Sequence, residues 1–180
     1  MIDEHDIMID LETLGTGSDA HILSIGACTM DHELTFHEVV GPQKRKIDVD
    51  TVRWWMDQSK DAQFVIKQAA MSRMSLTSAL ASLDDFIRTA GERVCIWSHG
   101  AGFDIAILEN AYRQAGMITP WMFWNVRDTR TLIDVAKWKA GEKLEPTRKG
   151  THHNALDDAK HQASWMMNIM AHLSNYEEAG

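Results

Sequence analysis

Three runs of strand-forming residues crowd into the first forty positions, and most of the remaining chain reads as helix interrupted by short strands. The runs are "DIMIDLE" (6–12), "HILSIGACTM" (21–30) and "ELTFHEVV" (33–40). Only Asp31 and His32 separate the last two, a spacing that predicts a tight hairpin. From Asp50 to about Ala90 the apolar period turns helical. Leu76, Leu80, Leu83, Phe86 and Ile87 share one face there, with Ser75 as a cap and Gly91 as a stop. "RVCIWS" (93–98) reads as a short buried strand. "FDIAILENAYRQAG" reads as a helix burying Ile105, Leu108 and Tyr112, with Gly116 at its end. A short strand near "WNVR" and a helix over about 129–138 come next. Residues 139–152 are polar and basic with Gly and Pro, and read as a mobile loop. A last helix over about 155–174 turns Leu156, Ala159, Ala163, Met166, Met167, Met170 and Leu173 inward. Hairpins first and alternation later predict an α/β fold, a mixed central sheet flanked by helices. With neither repeat nor linker, residues 1–180 read as a single domain.

Bulk composition excludes more than it selects. No apolar run approaches the ~18 residues of a membrane span, and the charged start "MIDEHD" is not a signal peptide. The expectation is a soluble, cytoplasmic protein without a membrane partner. Cys28 and Cys95 sit in apolar runs and are expected to be buried thiols rather than a disulfide. A formal charge of -8 argues against a surface that coats nucleic acid. It leaves room for an enzyme that grips a few nucleotides through bound cations.

The chemistry-bearing residues are carboxylates. Asp10 and Glu12 are two apart on a strand and leave the same face, while Ile9 and Leu11 point into a core. Two acids there are costly unless something positive sits between them. Asp104 follows "VCIWS" and "HGAG" and opens a helix, at the carboxyl end of a strand where α/β folds build sites. A helix-start acid favoured by the macrodipole is the bland alternative. "GTHHNALDDAKHQ" (150–162) sets two histidines before two aspartates. Asn154 makes an N-cap, which puts Asp157 at N3 as a capping-box partner. The same register brings His153 at N′ to face Asp158 at N4. His153 and Asp158 are therefore the expected functional pair, and His152 and Asp157 the structural one. Oxygen-rich donor sets select Mg²⁺ or Mn²⁺. Two such ions clamp the attacking and leaving oxygens of a phosphoryl displacement, and a histidine can deprotonate the attacking water.

Three segments in order, "IDLETLG", "SHGAGFDIAIL" and "HNALDDA", resemble the motifs of the DEDDh 3′–5′ exonucleases, of ribonuclease H-like fold. "TVRWWMDQS" (51–59) and "FWNVRDTRTLID" (123–134) are more similar to the phage exonuclease A and mycobacterial RNase AS group. The resemblance implies a pair of divalent cations, Mg²⁺ or Mn²⁺, held by Asp10, Glu12, Asp104 and Asp158, with His153 as general base. It also implies that Glu12 reaches the terminal 3′-OH while the backbone near Thr13 and Leu14 cradles the last nucleotide. One departure is plain: Gly100 stands in "HGAGFD" where many relatives carry Asn. Phe103 is read as core or as the wall of a nucleotide pocket. Arg148 and Lys149 are read as phosphate-steering residues of a closing loop. Trp54 and Trp55 stack a base or belong to the core or an interface, and Arg127 and Arg130 meet phosphate or pair with acids.

The expected activity is release of nucleoside 5′-monophosphates from a single-stranded 3′ end, DNA first and RNA as the alternative. A homodimer is expected from the resemblance. Two rivals carry distinct expectations. A catalytically silent scaffold would release no nucleotide with Mn²⁺. A zinc hydrolase built on His152, His153 and His161 would show nitrogen-rich ligation.

Overall fold

The computed structural model describes residues 2–91 and 93–177. Five strands form one sheet in the order β3-β2-β1-β4-β5, where β1 is Ile7–Thr13, β2 Ile22–Thr29, β3 Thr35–Val39, β4 Ile96–Ser98 and β5 Val126–Asp128. The first three strands pair antiparallel; β4 joins β1 in parallel and β5 joins β4 in parallel. The sheet is mixed, as the order of segments predicts. Six α-helices lie among the described residues: α1 Val49–Met56, α2 Lys60–Met71, α3 Leu76–Ala90, α4 Asp104–Gln114, α5 Thr129–Ala140 and α6 Ala155–Glu177. No helix among the described residues is long and apolar enough to cross a membrane.

Central β1 is buried on both faces. Ile7, Ile9 and Leu11 pack against α3 and α4 through Leu80, Leu83, Ile105 and Leu108. Met8 faces the other way, toward Ile133, Ala159, Ala163 and Met166 of α5 and α6. Along that second face the strand continues into Asp10 and Glu12. What lets α6 come close is Gly26, the β2 partner of Asp10. A Cβ on Gly26 would lie 2.1 Å from the Ala155 backbone, so only glycine admits the start of α6 there. Ala155, Ala159 and Ala163, all fully buried at four-residue spacing, keep the helix tight against the sheet.

Several boundaries move, each for a local reason. The helical stretch from Asp50 to Ala90 is three helices, restarted where Ser59 and Ser75 accept from Ala62 N and Ser78 N. The predicted two-residue hairpin is instead a loop over 30–34, closed by Thr29 N donating to Leu34 O and turned by His32 at φ 65°. β4 is shorter than "RVCIWS" because Cys95 N donates to the Asp6 carboxylate at 2.7 Å, and Trp97 Nε1 donates to it at 3.1 Å. Cys28 is buried and its thiol is pushed up to about 12 by burial; Cys95 is only half-buried. On α6 the inward stripe runs through Ala159, Ala163, Met166 and Ile169, while Met167 is exposed. The loop expected to be mobile is tethered: Trp165 Nε1 donates to Lys143 O, Glu145 meets His161 Nε2 at 3.2 Å, and Arg148 meets Asp158.

Candidate active site

The acids of β1 and α6 gather along one wall of an open cleft of about 930 Å³, with the acid of α4 buried next to them. Asp10 and Glu12 come from the second face of β1, and Asp10 Oδ1 accepts from Gln162 Nε2 at 2.8 Å. Asp104, the first residue of α4, is only 3% exposed and sits behind the wall. Its Oδ1 accepts from Leu11 N at 3.2 Å, which locks the start of α4 to β1 between the two strand acids. That bond separates Asp104 from an ordinary helix-start acid, whose partner would lie in its own first turn.

The opening of α6 follows the cap register. Asn154 Oδ1 accepts from Asp157 N at 3.2 Å, and Asp158 N donates to Asn154 O at 2.8 Å. Asp157 does not reach back to Asn154; its Oδ2 accepts from Thr151 N at 2.7 Å, so it ties down the loop before the helix. Asp158 Oδ2 accepts from His153 N at 2.8 Å, and its Oδ1 takes Arg148 Nη1. Glu12, His153 and Asp158 then present ligand atoms that all lie within 4.8 Å of one another. His153 holds a left-handed backbone, φ 63°, that turns its ring onto Trp54 at 4.9 Å and onto His152 at 4.0 Å.

Crowding of like charge leaves its mark. Burial, then Asp158 and Asp104, push Glu12 up to about 9. Burial pushes Asp104 up to about 7, against the hydrogen bond from Leu11. Asp10 is raised well above the ordinary carboxylate value by burial and by its three acidic neighbours. A divalent cation is the group that removes such a penalty, and a donor set this rich in carboxylate oxygen suits a hard ion. His153 moves the other way, lowered by burial and by His152. A lowered value keeps the ring neutral near pH 7 and able to take a proton.

The remaining expected residues divide. Thr13 and Phe103 line the cleft. Leu14 does not; it packs beneath the floor, with N donating to His21 O and O accepting from Asp48 N, so its backbone is already engaged. Lys149 is exposed and outside the cleft wall, while Arg148 lines it but is held by Asp158. Trp55 is a core residue whose Nε1 donates to Thr13 O at 2.8 Å, whereas Trp54 stays 43% exposed in the cleft wall. His161 is bound to Glu145 and does not join His152 and His153, so the nitrogen-rich zinc set does not assemble among the described residues. Gln162 is a site residue that the sequence reading misses. Its signal is nonetheless there: it lies one helical turn after Asp158, on the same face.

A mixed sheet with this acid wall defines a DEDDh-type 3′–5′ exonuclease of ribonuclease H-like fold. The chain belongs to the Rv2179c-like 3′–5′ exoribonuclease domain family, which matches residues 5–170. The exodeoxyribonuclease of Enterobacteria phage T4 is 25% identical over 211 aligned residues, covering 97% of this chain and 92% of the phage protein. Among solved structures, the nuclease domain of 3′hExo, a DEDDh family member bound to rAMP, superposes with a TM-score of 0.58 at 15% identity. That match covers 92% of this chain and 91% of the other. S. pombe Pop2p in its Mg²⁺- and Mn²⁺-bound form gives 0.62 at 12% identity, over 93% of this chain and 83% of that one.

Proposed function

We propose that this exonuclease removes nucleoside 5′-monophosphates from the 3′ end of single-stranded nucleic acid, with Asp10, Glu12, Asp104 and Asp158 holding two Mg²⁺ or Mn²⁺ ions and His153 as general base. The convergence of Glu12, His153 and Asp158 within 4.8 Å on the wall of an open cleft carries the reading. Bound cations would supply charge neutralisation for the phosphodiester and for the water that attacks it. The chain's own residues do the rest. Gln162 fixes the Asp10 carboxylate, and Leu11 N fixes Asp104. Trp54 and the left-handed turn at His153 aim a neutral imidazole into the site, ready to accept the proton of the attacking water. Thr13 and Trp54 wall the side of the cleft where the terminal nucleotide would rest. The Mg²⁺- and Mn²⁺-bound relative of the same fold supports the choice of ion.

Two sugars are in contention. The phage relative's name supports DNA, and the family's description supports RNA. Only a contact to the 2′-OH separates them chemically. Matched DNA and RNA strands, each labelled at the 3′ or the 5′ end and digested with Mn²⁺, decide between the two. Mononucleotides should appear inward from the 3′ end, and a circular strand should resist. Efficient cutting of the circle would overturn the exonuclease reading. The homodimer is also a proposal; exposed Phe123, Trp124 and Trp138 give it a surface, and light scattering checks it.

A further inference from the structure

The cationic side chains near the cleft are not equivalent. Arg148 is committed to Asp158. Arg127 turns outward, where its Nη1 donates to Trp124 O at 2.6 Å and to Val126 O at 3.0 Å. Arg130, in the first turn of α5, lines the cleft, and its guanidinium has no hydrogen-bond or ion-pair partner among the described residues. It lies over Gly100. There the backbone runs at φ 115°, and a Cβ would stand 3.0 Å from Arg130 Nη1 and 3.3 Å from Cζ. The guanidinium thus lies across the spot where the more usual Asn of this motif would begin its side chain. Beside it the His99 ring stacks on Trp165, with centroids 6.0 Å apart and planes at 21°. His99 is held by Thr129 at 2.8 Å, from the same turn of α5.

His99, Arg130 and Trp165 line the same cleft beside α5 and together make a second lobe next to the acid wall. Helix α6 measures the separation: from Asp158 to Trp165 is seven residues, about 10 Å of rise. Trp165 therefore lies well past Asp158 along the cleft, which extends beyond the acid wall. The lobe offers a guanidinium whose charge is felt by Asp104 and His99, a flat aromatic wall and no acid in direct ion-pair contact with the cation among the described residues. A free arginine fork of this kind suits a phosphodiester.

We propose that Arg130 binds the phosphate one step upstream of the scissile one, in the place that the missing Asn side chain leaves open at Gly100. The inference rests on the exonuclease reading. It makes the enzyme grip two successive phosphates, one at the acid wall and one at α5.

The test uses three substrates with wild-type protein and Arg130→Gln, at saturating Mn²⁺. One is a short single strand of whichever sugar the wild type digests. The second carries a neutral methylphosphonate only at the linkage upstream of the scissile one. The third, thymidine 5′-monophosphate p-nitrophenyl ester, has a single phosphodiester. Wild type should lose on the order of tenfold in kcat/KM on the methylphosphonate strand, mostly through KM. Arg130→Gln should show that same loss on the natural strand and no further loss on the modified one. The ester should be hydrolysed equally by both. The salt slope of strand binding should become shallower by about 0.7 in the variant, and Arg130→Lys should recover part of the loss. Arg130 is exposed, so melting curves of the variants should match wild type. Additive losses from the variant and the methylphosphonate, or an equal fall on the ester, would overturn the assignment. No mononucleotide from any natural strand with wild type would instead sink the exonuclease reading beneath it.

Discussion

The two faces of β1 obey opposite rules. Ile7, Ile9 and Leu11 meet a close-packed apolar layer in which every neighbour lowers the free energy of the fold. On the other face Met8 belongs to a comparable layer, but Asp10 and Glu12 take the same strand into a group of mutually repelling acids. One strand seven residues long therefore holds both a stabilising element and a strained one. Stability of the first kind is present in the bare chain; on the second face the proposed cations would supply it.

The largest effect that breaks this comparison is removal of the acids themselves. Asp10→Ala with Glu12→Ala should abolish nucleotide release and also the rise in Tm that Mn²⁺ produces by binding the folded state. A metal-dependent Tm that survives the double change would move the site elsewhere. Next comes His153→Ala, expected to lower turnover by roughly 10²–10⁴-fold while the Mn²⁺-induced rise in Tm persists in calorimetry. His152→Ala removes an edge-on contact and a lesser cause of the lowered His153 value, burial being the larger, so it should stay within a few-fold of wild type. On the apolar face, Ile9→Ala should cost about 2–5 kcal/mol in urea unfolding and leave the kcat of the folded fraction almost unchanged. Equal loss of kcat there would mean that the two faces are not separable.

Acidity sharpens the contrast further. Glu12 rises from 4.5 to about 9 on folding, so the folded state holds its proton where the unfolded state has released it. Its contribution to stability is therefore complete below the ordinary value and is lost as pH climbs through that window. Metal-free protein should lose several degrees of Tm between about pH 5 and about pH 9. Glu12→Gln should remove much of the slope, and Mn²⁺ should flatten it. A Tm that rises with pH in the metal-free protein would contradict the repulsion. The smallest effect belongs to Asp157→Ala, which loses the bond to Thr151 N and should cost on the order of 1 kcal/mol without altering kcat.

The legible part of the chain is local. The two-residue spacing of Asp10 and Glu12 sets their common face, and the Asn154 cap sets the register that pairs His153 with Asp158. Both depend on bonds between residues a few positions apart. The illegible part is distant. Gln162 holds Asp10 across 152 positions, and Arg130 reaches the turn at Gly100 from the start of α5. The loop over 139–152 reads as mobile because its anchors, His161, Asp158 and Trp165, all lie on α6. Apolar crowding in its stretch of α6 points Met167 inward, yet a single helix has room for one stripe against a sheet, and Ile169 fills it.

Gly26 sets the spacing of the whole acid group without contributing an atom to it. Because α6 rests on its bare Cα, the distance from the strand acids to Asp158 is dictated by the absence of a methyl group on β2. If the acids hold the proposed cations, enzymatic competence is encoded partly in a residue that no tally of acids would include. A homologue could retain every carboxylate and the histidine, carry a larger residue at this one position, and lose the joint reach of strand and helix. Sorting active from inactive relatives by their acids alone would misfile it.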